Sequence, residues 1–212
     1  MKNKKLLALF ISLLMIFSLV ACSSQEEDKE PIDSSEEEII EEEVLTDDSI
    51  IEIQDPALEK LIRDNLENPG EEILMGDLKE IKILGFSGND YDIKDIEELK
   101  YAVNLTNFRA KNINIKSLDP LSQLEFLNEI EFKDSQVEEV PNKFNTENLE
   151  WLDVSSSNIS DLSFLEDAPL KYVIFHDTGL ESLEFARNMD SLKAIEGHNN
   201  MVSDLSPLAN KP

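Results

Sequence analysis

Bases, cysteines, histidines and tryptophans are scarce in this chain, and each scarcity excludes something. Of 212 residues, 19 are Lys or Arg and 46 are Asp or Glu, a formal net charge of −27. Nucleic-acid binding needs a basic face for the phosphates, so that partner is excluded. The single cysteine, Cys22, has no second thiol to pair with. His176 and His198 are the only histidines, too few ligands for a strong metal site even with Asp153 or Asp177 nearby. No nucleophile elbow, phosphate loop or HExxH occurs, and no carboxylates form a defined pair in a pocket. The reading is therefore no enzyme, no cofactor and no metal. "GNDYD" at 88 to 92 lacks the spacing and terminal bidentate Glu of a calcium loop, so it reads as a solvated loop. Asn104-Leu105-Thr106 and Asn158-Ile159-Ser160 match the glycosylation acceptor pattern and read as chance.

Long apolar runs are also missing, with one exception. Lys2, Lys4 and Lys5 precede an apolar run from Leu6 to Val20, broken only by Ser12 and Ser18. A basic start, a short apolar middle and a small residue make an export signal. A spanning helix needs about 20 apolar residues. Leu19-Val20-Ala21-Cys22 resembles the lipobox of bacterial lipoproteins. That resemblance implies removal of residues 1–21, a lipid on Cys22 and a protein tied to the outside of a cell membrane. Residues 23–52 then carry 14 Asp and Glu against 1 Lys. Such composition buries too little to offset ordering entropy, and like charges extend a chain. Residues 22–52 are expected to be a disordered acidic tether.

What the chain has in quantity is a repeat. The template LxxLxLxxNxIxxLxxL lands at Ile83, Leu105, Leu127, Leu149, Leu170 and Leu192, with spacings of 22, 22, 22, 21 and 22. Its fourth position reads Phe86, Phe108, Ile130, Leu152, Val173, Ile195. Its eleventh reads Ile93, Ile115, Val137, Ile159, Leu180, Val202, and its fourteenth Ile96, Leu118, Val140, Leu162, Leu183, Leu205. No polar residue interrupts these columns. Positions 4 and 6 point inward from a short strand with period two, and positions 11, 14 and 17 pack back against them. One coil alone buries little, so stacking is what makes a core. Asp55 and Pro56 start a helix whose Leu58, Leu61, Ile62 and Leu66 share a face that covers the first coil.

The pattern, with "ISDLSFL", "VSDLSPLA" and "IEIQDPALEKLIRDNL", resembles the 22-residue leucine-rich repeats of the bacterial internalins. The resemblance implies an α/β-type right-handed solenoid with a concave parallel sheet and about six coils. Residues 53–82 would be its small helical cap and 83–212 the repeats. Two departures stand out. The family's ninth-position Asn is replaced by Tyr91, Ile113, Ser135, Ser157 and Thr178, leaving only Asn200. Hydroxyls can partly substitute, whereas Tyr91 and Ile113 cannot make a ladder. Position 6 is small at Gly88, Ala110 and Gly197. The chain also stops at Pro212 inside the sixth coil, which leaves an edge open, covered by a partner, or continued by further sequence.

Positions 3, 5 and 7 of each strand face solvent. They begin with Gly85, Ser87 and Asn89 and end with Ala194, Glu196 and His198. Trp151 and Tyr172 share a column in adjacent coils, with Ile174 beside them. Exposed aromatics beside an aliphatic residue make binding hot spots; the alternative is that Trp151 folds onto its own coil as scaffold. His176, His198, Asp153 and Glu196 complete a candidate rim, titratable near the ordinary imidazole value of about 6.5. Arg109, Lys111 and Lys133 form a basic island that either meets a carboxylate on a partner or pairs with Glu129 and Glu131; the second is favoured. The sequence thus reads as a membrane-anchored surface lipoprotein that binds a partner protein through its concave face. Adhesion or host contact is what the resemblance implies. A glycan or cell-wall module stacking sugars on Trp151 and Tyr172, and a spacer self-assembling through its last coil, are the alternatives.

Overall fold

A computed structural model describes residues 45–67, 69–144, 147–209 and 211. Cys22, the apolar run before it and most of the acidic segment lie outside the described residues. Among the described residues no helix is long and apolar enough to cross a membrane.

The described chain is a leucine-rich repeat solenoid. Six parallel strands form one sheet in the order β1 (Ile83–Ser87), β2 (Asn107–Lys111), β4 (Glu129–Lys133), β6 (Trp151–Asp153), β7 (Tyr172–Ile174), β8 (Ala194–Glu196). A second sheet pairs β3 (Asn114–Ser117) with β5 (Gln136–Glu139), also in parallel. One apolar core runs the length of the stack, from Leu58 through Leu105, Ile130 and Leu152 to Leu192. Each such side chain contributes roughly 1.5–3 kcal/mol on burial.

Two short helices precede the sheet. In α1 (Pro56–Asn65), Asp55 Oδ1 accepts from Ala57 N (2.8 Å) and Leu58 N (3.1 Å), and Leu58, Leu61 and Ile62 are buried. The other oxygen, Oδ2, accepts from Lys94 N (2.7 Å) and Asp95 N (3.1 Å) in the first repeat. One carboxylate therefore caps the helix and staples it to the solenoid. Burial raises the Asp55 pKa, but the four backbone donors outweigh this and hold it below the usual carboxylate value. The second helix, α2 (Met75–Glu80), has no counterpart in the sequence reading; Asp77 starts it by accepting from Leu74 N at 2.8 Å.

The acidic segment was expected to stay disordered through residue 52, but order begins earlier. Ile50 bridges Leu74, Ile51 N donates to Ile73 O at 2.8 Å, and Ile51 is buried. Lys79 pairs with Asp47 at 2.6 Å. The reason is local: Ile51 is buried and Ile53 packs against the core, while Ile50 stays exposed and contributes its backbone bridge.

The first repeat departs from the sequence register. Leu84, not Phe86, pairs with Phe108, and Phe86 pairs with Ala110. The β1–β2 partners Ile83 and Asn107 are thus 24 apart, whereas Asn107 and Glu129 are 22 apart. Two extra residues lie in the 88–92 loop, where Tyr91 donates its hydroxyl to Asp64 (2.8 Å) and carries Lys60 over its ring. Ile83 consequently points outward at 56% exposure, and Ile81 takes its buried place. Gly88 follows the strand; a Cβ there would sit 1.9 Å from the Asn112 carbonyl oxygen. Column fourteen also breaks, at Val140 and Leu205, both exposed.

Two devices turn the chain at regular intervals. Asn112 and Asp134 directly follow a strand of the main sheet, Ser156, Asp177 and Asn199 lie three residues past one, and all five hold positive φ between 51° and 56°. Asn and Asp tolerate this region best among non-glycine residues. On the return leg, Asp95, Ser117, Asp161, Ser182 and Asp204 each accept from the backbone N–H two residues on, opening a short 3-10 turn. This gives the "SDLS" phrases a physical reason. Inside, Ser135, Ser157 and Thr178 are buried, and each donates its hydroxyl to a backbone carbonyl of its own turn. Asn158, noted in sequence only as part of a chance acceptor pattern, binds both the N–H and the C=O of Val137 on β5.

Candidate functional site

The outer face of the six-stranded sheet presents one column as Ile83, Asn107, Glu129, Trp151, Tyr172, Ala194, because these are successive in-register partners. Between them the inward residues Leu84, Phe108, Ile130, Leu152 and Val173 are buried. Strand alternation alone places the site.

Around β2 and β4 the face is charged and self-satisfied. Arg109 grips Glu129 with two bonds of 2.6 and 2.9 Å, and Asn107 adds a third at 2.6 Å. The Arg109 hydrogen bonds pull Glu129 below its usual carboxylate pKa against the opposing effect of burial, and Glu129 raises Arg109. Lys133 meets Glu131 (2.9 Å) and Asp153 (3.4 Å), and Lys111 meets Asp134 (3.4 Å). Burial alone would lower the Lys133 pKa; the two carboxylates raise it instead. Pairing with Glu129 and Glu131, the favoured reading of the island, is what the geometry has for Arg109 and Lys133.

Around β6, β7 and β8 the face is aromatic. The Trp151 and Tyr172 rings lie 5.1 Å apart and tilted by 37°. Tyr172 is exposed, and Trp151 and Ile174 are half-buried. The indole N–H of Trp151 is buried with no acceptor among the described residues. An orphaned buried donor costs about 1–3 kcal/mol, so packing against Tyr172 rather than a polar contact holds this ring.

His176 and His198 stack at 3.7 Å with 24° between their planes. The His198 backbone N–H donates to His176 Nδ1 at 3.2 Å. His176 Nε2 lies 3.8 Å from Glu196, and His198 Nε2 lies 3.4 Å from Asp177. Imidazole lone pairs lie in the ring plane, so stacked rings send them side by side rather than to one point. Among the described residues no group of three or more His, Cys, Asp or Glu is arranged to hold a metal.

Asp153 differs from the sequence expectation. It is buried, accepts from Ser155 N at 3.0 Å and faces Lys133. The turn after a strand needs an acceptor, and Asp153 supplies it instead of facing a partner. Exposed Ile83 was missed; only the loop insertion could have revealed it. Open clefts lie elsewhere among the described residues. One of about 410 Å³ sits between Ile51, Gln54 and Arg63, and one of about 280 Å³ between Val140, Asn158 and Phe164. In the last repeat, Met201 and Leu205 are 60% and 67% exposed.

No protein-family model matches the chain, and no curated protein matches it. Among solved structures it is similar to an internalin from Listeria monocytogenes, with a TM-score of 0.65 and 24% identity. The match covers 74% of this chain and 46% of that one, so the chain spans less than half of the internalin's length. This likeness establishes the fold, a leucine-rich repeat of internalin type. Internalin C2 of the same organism is similar at a TM-score of 0.35 and 20% identity, covering 74% and 90% of the two chains. A Clostridium perfringens ZmpB structure containing CBM51-2 with GlcNAc and INT domains reaches 0.39 at 29% identity, covering 44% and 19%. These last two scores are too low to carry weight.

Proposed function

We propose that the protein is an extracytoplasmic lipoprotein, anchored through Cys22, that binds a partner protein on a cell surface. The outer sheet face, taken as the concave side of a right-handed six-coil solenoid, is the binding surface, and residues 53–82 cap it. The mechanism is recognition without chemistry. The observation that carries this reading is the Trp151–Tyr172 pair with Ile174 on a solvent-facing sheet. Large aromatic rings offer contact area at low entropic cost, and such residues dominate interface energies. Arg109 and Lys133 sit beside the patch as its rim. Adhesion between cells is the role such a surface serves.

The test is capture of a partner from host and bacterial surface extracts by the wild-type chain and by Trp151→Ala with Tyr172→Ala. Circular dichroism must match. Loss of the captured protein in the double variant supports the reading. Capture by both variants alike overturns it. Binding of isolated wall polysaccharide in place of protein would make the face a glycan platform, and self-association that survives the double variant would make the chain a spacer.

A further inference from the structure

The third coil turns differently from the others, and the difference opens a cleft. In the other five coils the residue at position thirteen, Asp95, Ser117, Asp161, Ser182 or Asp204, accepts from the backbone N–H two residues on and starts a 3-10 turn. The third coil has Glu139 at that position and Pro141 two residues on. Proline has no N–H to donate. The bond that starts the turn is therefore missing, and among the described residues this coil has no 3-10 turn. Val140, at position fourteen, is exposed, while Phe144 is buried and stacks on Phe164 of the fourth coil, with ring centroids 5.4 Å apart. Beside them lies a cleft of about 280 Å³ whose apolar part is Val140, Ile159 and Phe164. It adjoins a second of about 220 Å³ that shares Asn142, Ser163 and Phe164.

We propose that this cleft binds a neutral saccharide. It lies on the side of β5, apart from the outer sheet face, and goes beyond the docking reading without resting on it. The polar rim carries the choice of ligand. The Asn142 amide, the Ser160 and Ser163 hydroxyls and Asp161 Oδ2 line the cleft and have no hydrogen-bond partner among the described residues; Asp161 uses its other oxygen for the turn. Asn158, by contrast, is spent on both backbone groups of Val137 and serves only as wall. A sugar ring has two kinds of surface, C–H faces and hydroxyl edges. The faces suit Val140 and the Phe164 ring. The hydroxyls suit an amide, two hydroxyls and a carboxylate, which between them donate and accept. Small-molecule sites pair apolar walls with a few placed polar groups in this way. A charged ligand fits less well. Asp161 is the one charged residue lining the larger cleft, and in the smaller one Lys143 faces Asp167. An anion would meet Asp161, and a single solvent-exposed carboxylate holds a cation weakly.

The full chain is titrated with glucose, galactose, N-acetylglucosamine and their disaccharides, and with glucuronate as the charged control. Backbone amide resonances are followed. The expected result is a saturable shift at Asn142, Ser160 and Ser163 with a neutral sugar, at least tenfold weaker with glucuronate. Asn142→Ala with Asp161→Ser should weaken it at least tenfold. Serine starts the same turn at Ser117 and Ser182, so the coil is preserved, and an unchanged thermal unfolding midpoint checks this. Glu139→Asp with Pro141→Ser supplies the missing acceptor and N–H, and should abolish the shift by rebuilding the turn. No saturable shift with any neutral sugar, an equal shift with glucuronate, or a shift that survives Asn142→Ala with Asp161→Ser would overturn the proposal. A shift lost instead in Trp151→Ala with Tyr172→Ala would put the sugar on the outer face and overturn it as well. Competition by bacterial wall polysaccharide and by host-surface oligosaccharide then tells the two sources of the sugar apart. Partner capture reads the docking surface alone, so the two readings fail separately.

Discussion

The β2–β4 half and the β6–β8 half of one sheet face are built on the same repeat and behave as opposites. The first half closes its charges on itself: Arg109 on Glu129, Lys133 on Glu131 and Asp153. The second half stacks rings, Trp151 on Tyr172 and His176 on His198. A self-paired ionic surface gives up its internal bonds to accept a partner, so the net gain is small. An aromatic surface gives up only water. The difference teaches that equal exposure is not equal availability, and that the contents of a column matter more than the fold beneath it.

The largest expected contrast tests this directly. Trp151→Ala should weaken partner binding by about 2 kcal/mol or more, the scale of a hot spot. Arg109→Ala with Lys133→Ala should change it by less than about 1 kcal/mol. Isothermal titration on the captured partner checks both, and equal losses would erase the distinction between the halves.

Next in size is a stability effect confined to the N-terminal side. Asp55→Ala orphans four backbone N–H groups and should cost roughly 2–3 kcal/mol, a cap's worth plus the staple, measured by urea unfolding. The pH dependence has a definite sign. Because the folded pKa of Asp55 is lowered, its contribution is fully present above the ordinary value of about 3.9 and fades as pH falls through the folded value. Wild type should lose this increment on acidification, and the variant should not.

On the other side, Gly197 admits the Phe175 ring, which a Cβ would meet at 2.1 Å. Gly197→Ala should destabilise by about 1–3 kcal/mol through overpacking, and Phe175→Leu in the same chain should restore part of the loss. Thermal unfolding of the pair reads this out; no rescue would mean that the clash is relieved by other movement.

The smallest effect sits at the border of the halves. Ser156 holds φ 56° where the equivalent turns use Asn112, Asp134, Asp177 and Asn199. Ser156→Asn should stabilise by roughly 0.5 kcal/mol, since Asn tolerates this region better. A decrease would show that the Ser156 hydroxyl has a role of its own.

Much of this was legible before any coordinates. Leu105, Leu127, Leu149, Leu170 and Leu192 recur at near-constant spacing, and all five are buried. The adjacency of Trp151 with Tyr172, and of His176 with His198, followed from the same count. What failed did so for identifiable reasons. The template slid Ile83 into a buried column because a two-residue insertion in a loop leaves no mark on an apolar pattern. Asp153 was read as exposed because alternation ignores what the next turn must bond. The second duty of Asp55, 39 residues from Lys94, has no local signature.

The sequence by itself determined that this chain stacks repeats, because periodic apolar residues leave no other way to bury their surface. It also determined which residues share a column. Tertiary structure decided which carboxylates are satisfied, how the rings tilt and where order begins. Those outcomes depend on distances of a few ångströms between residues about 22 apart in the chain, and a linear pattern carries no information at that scale.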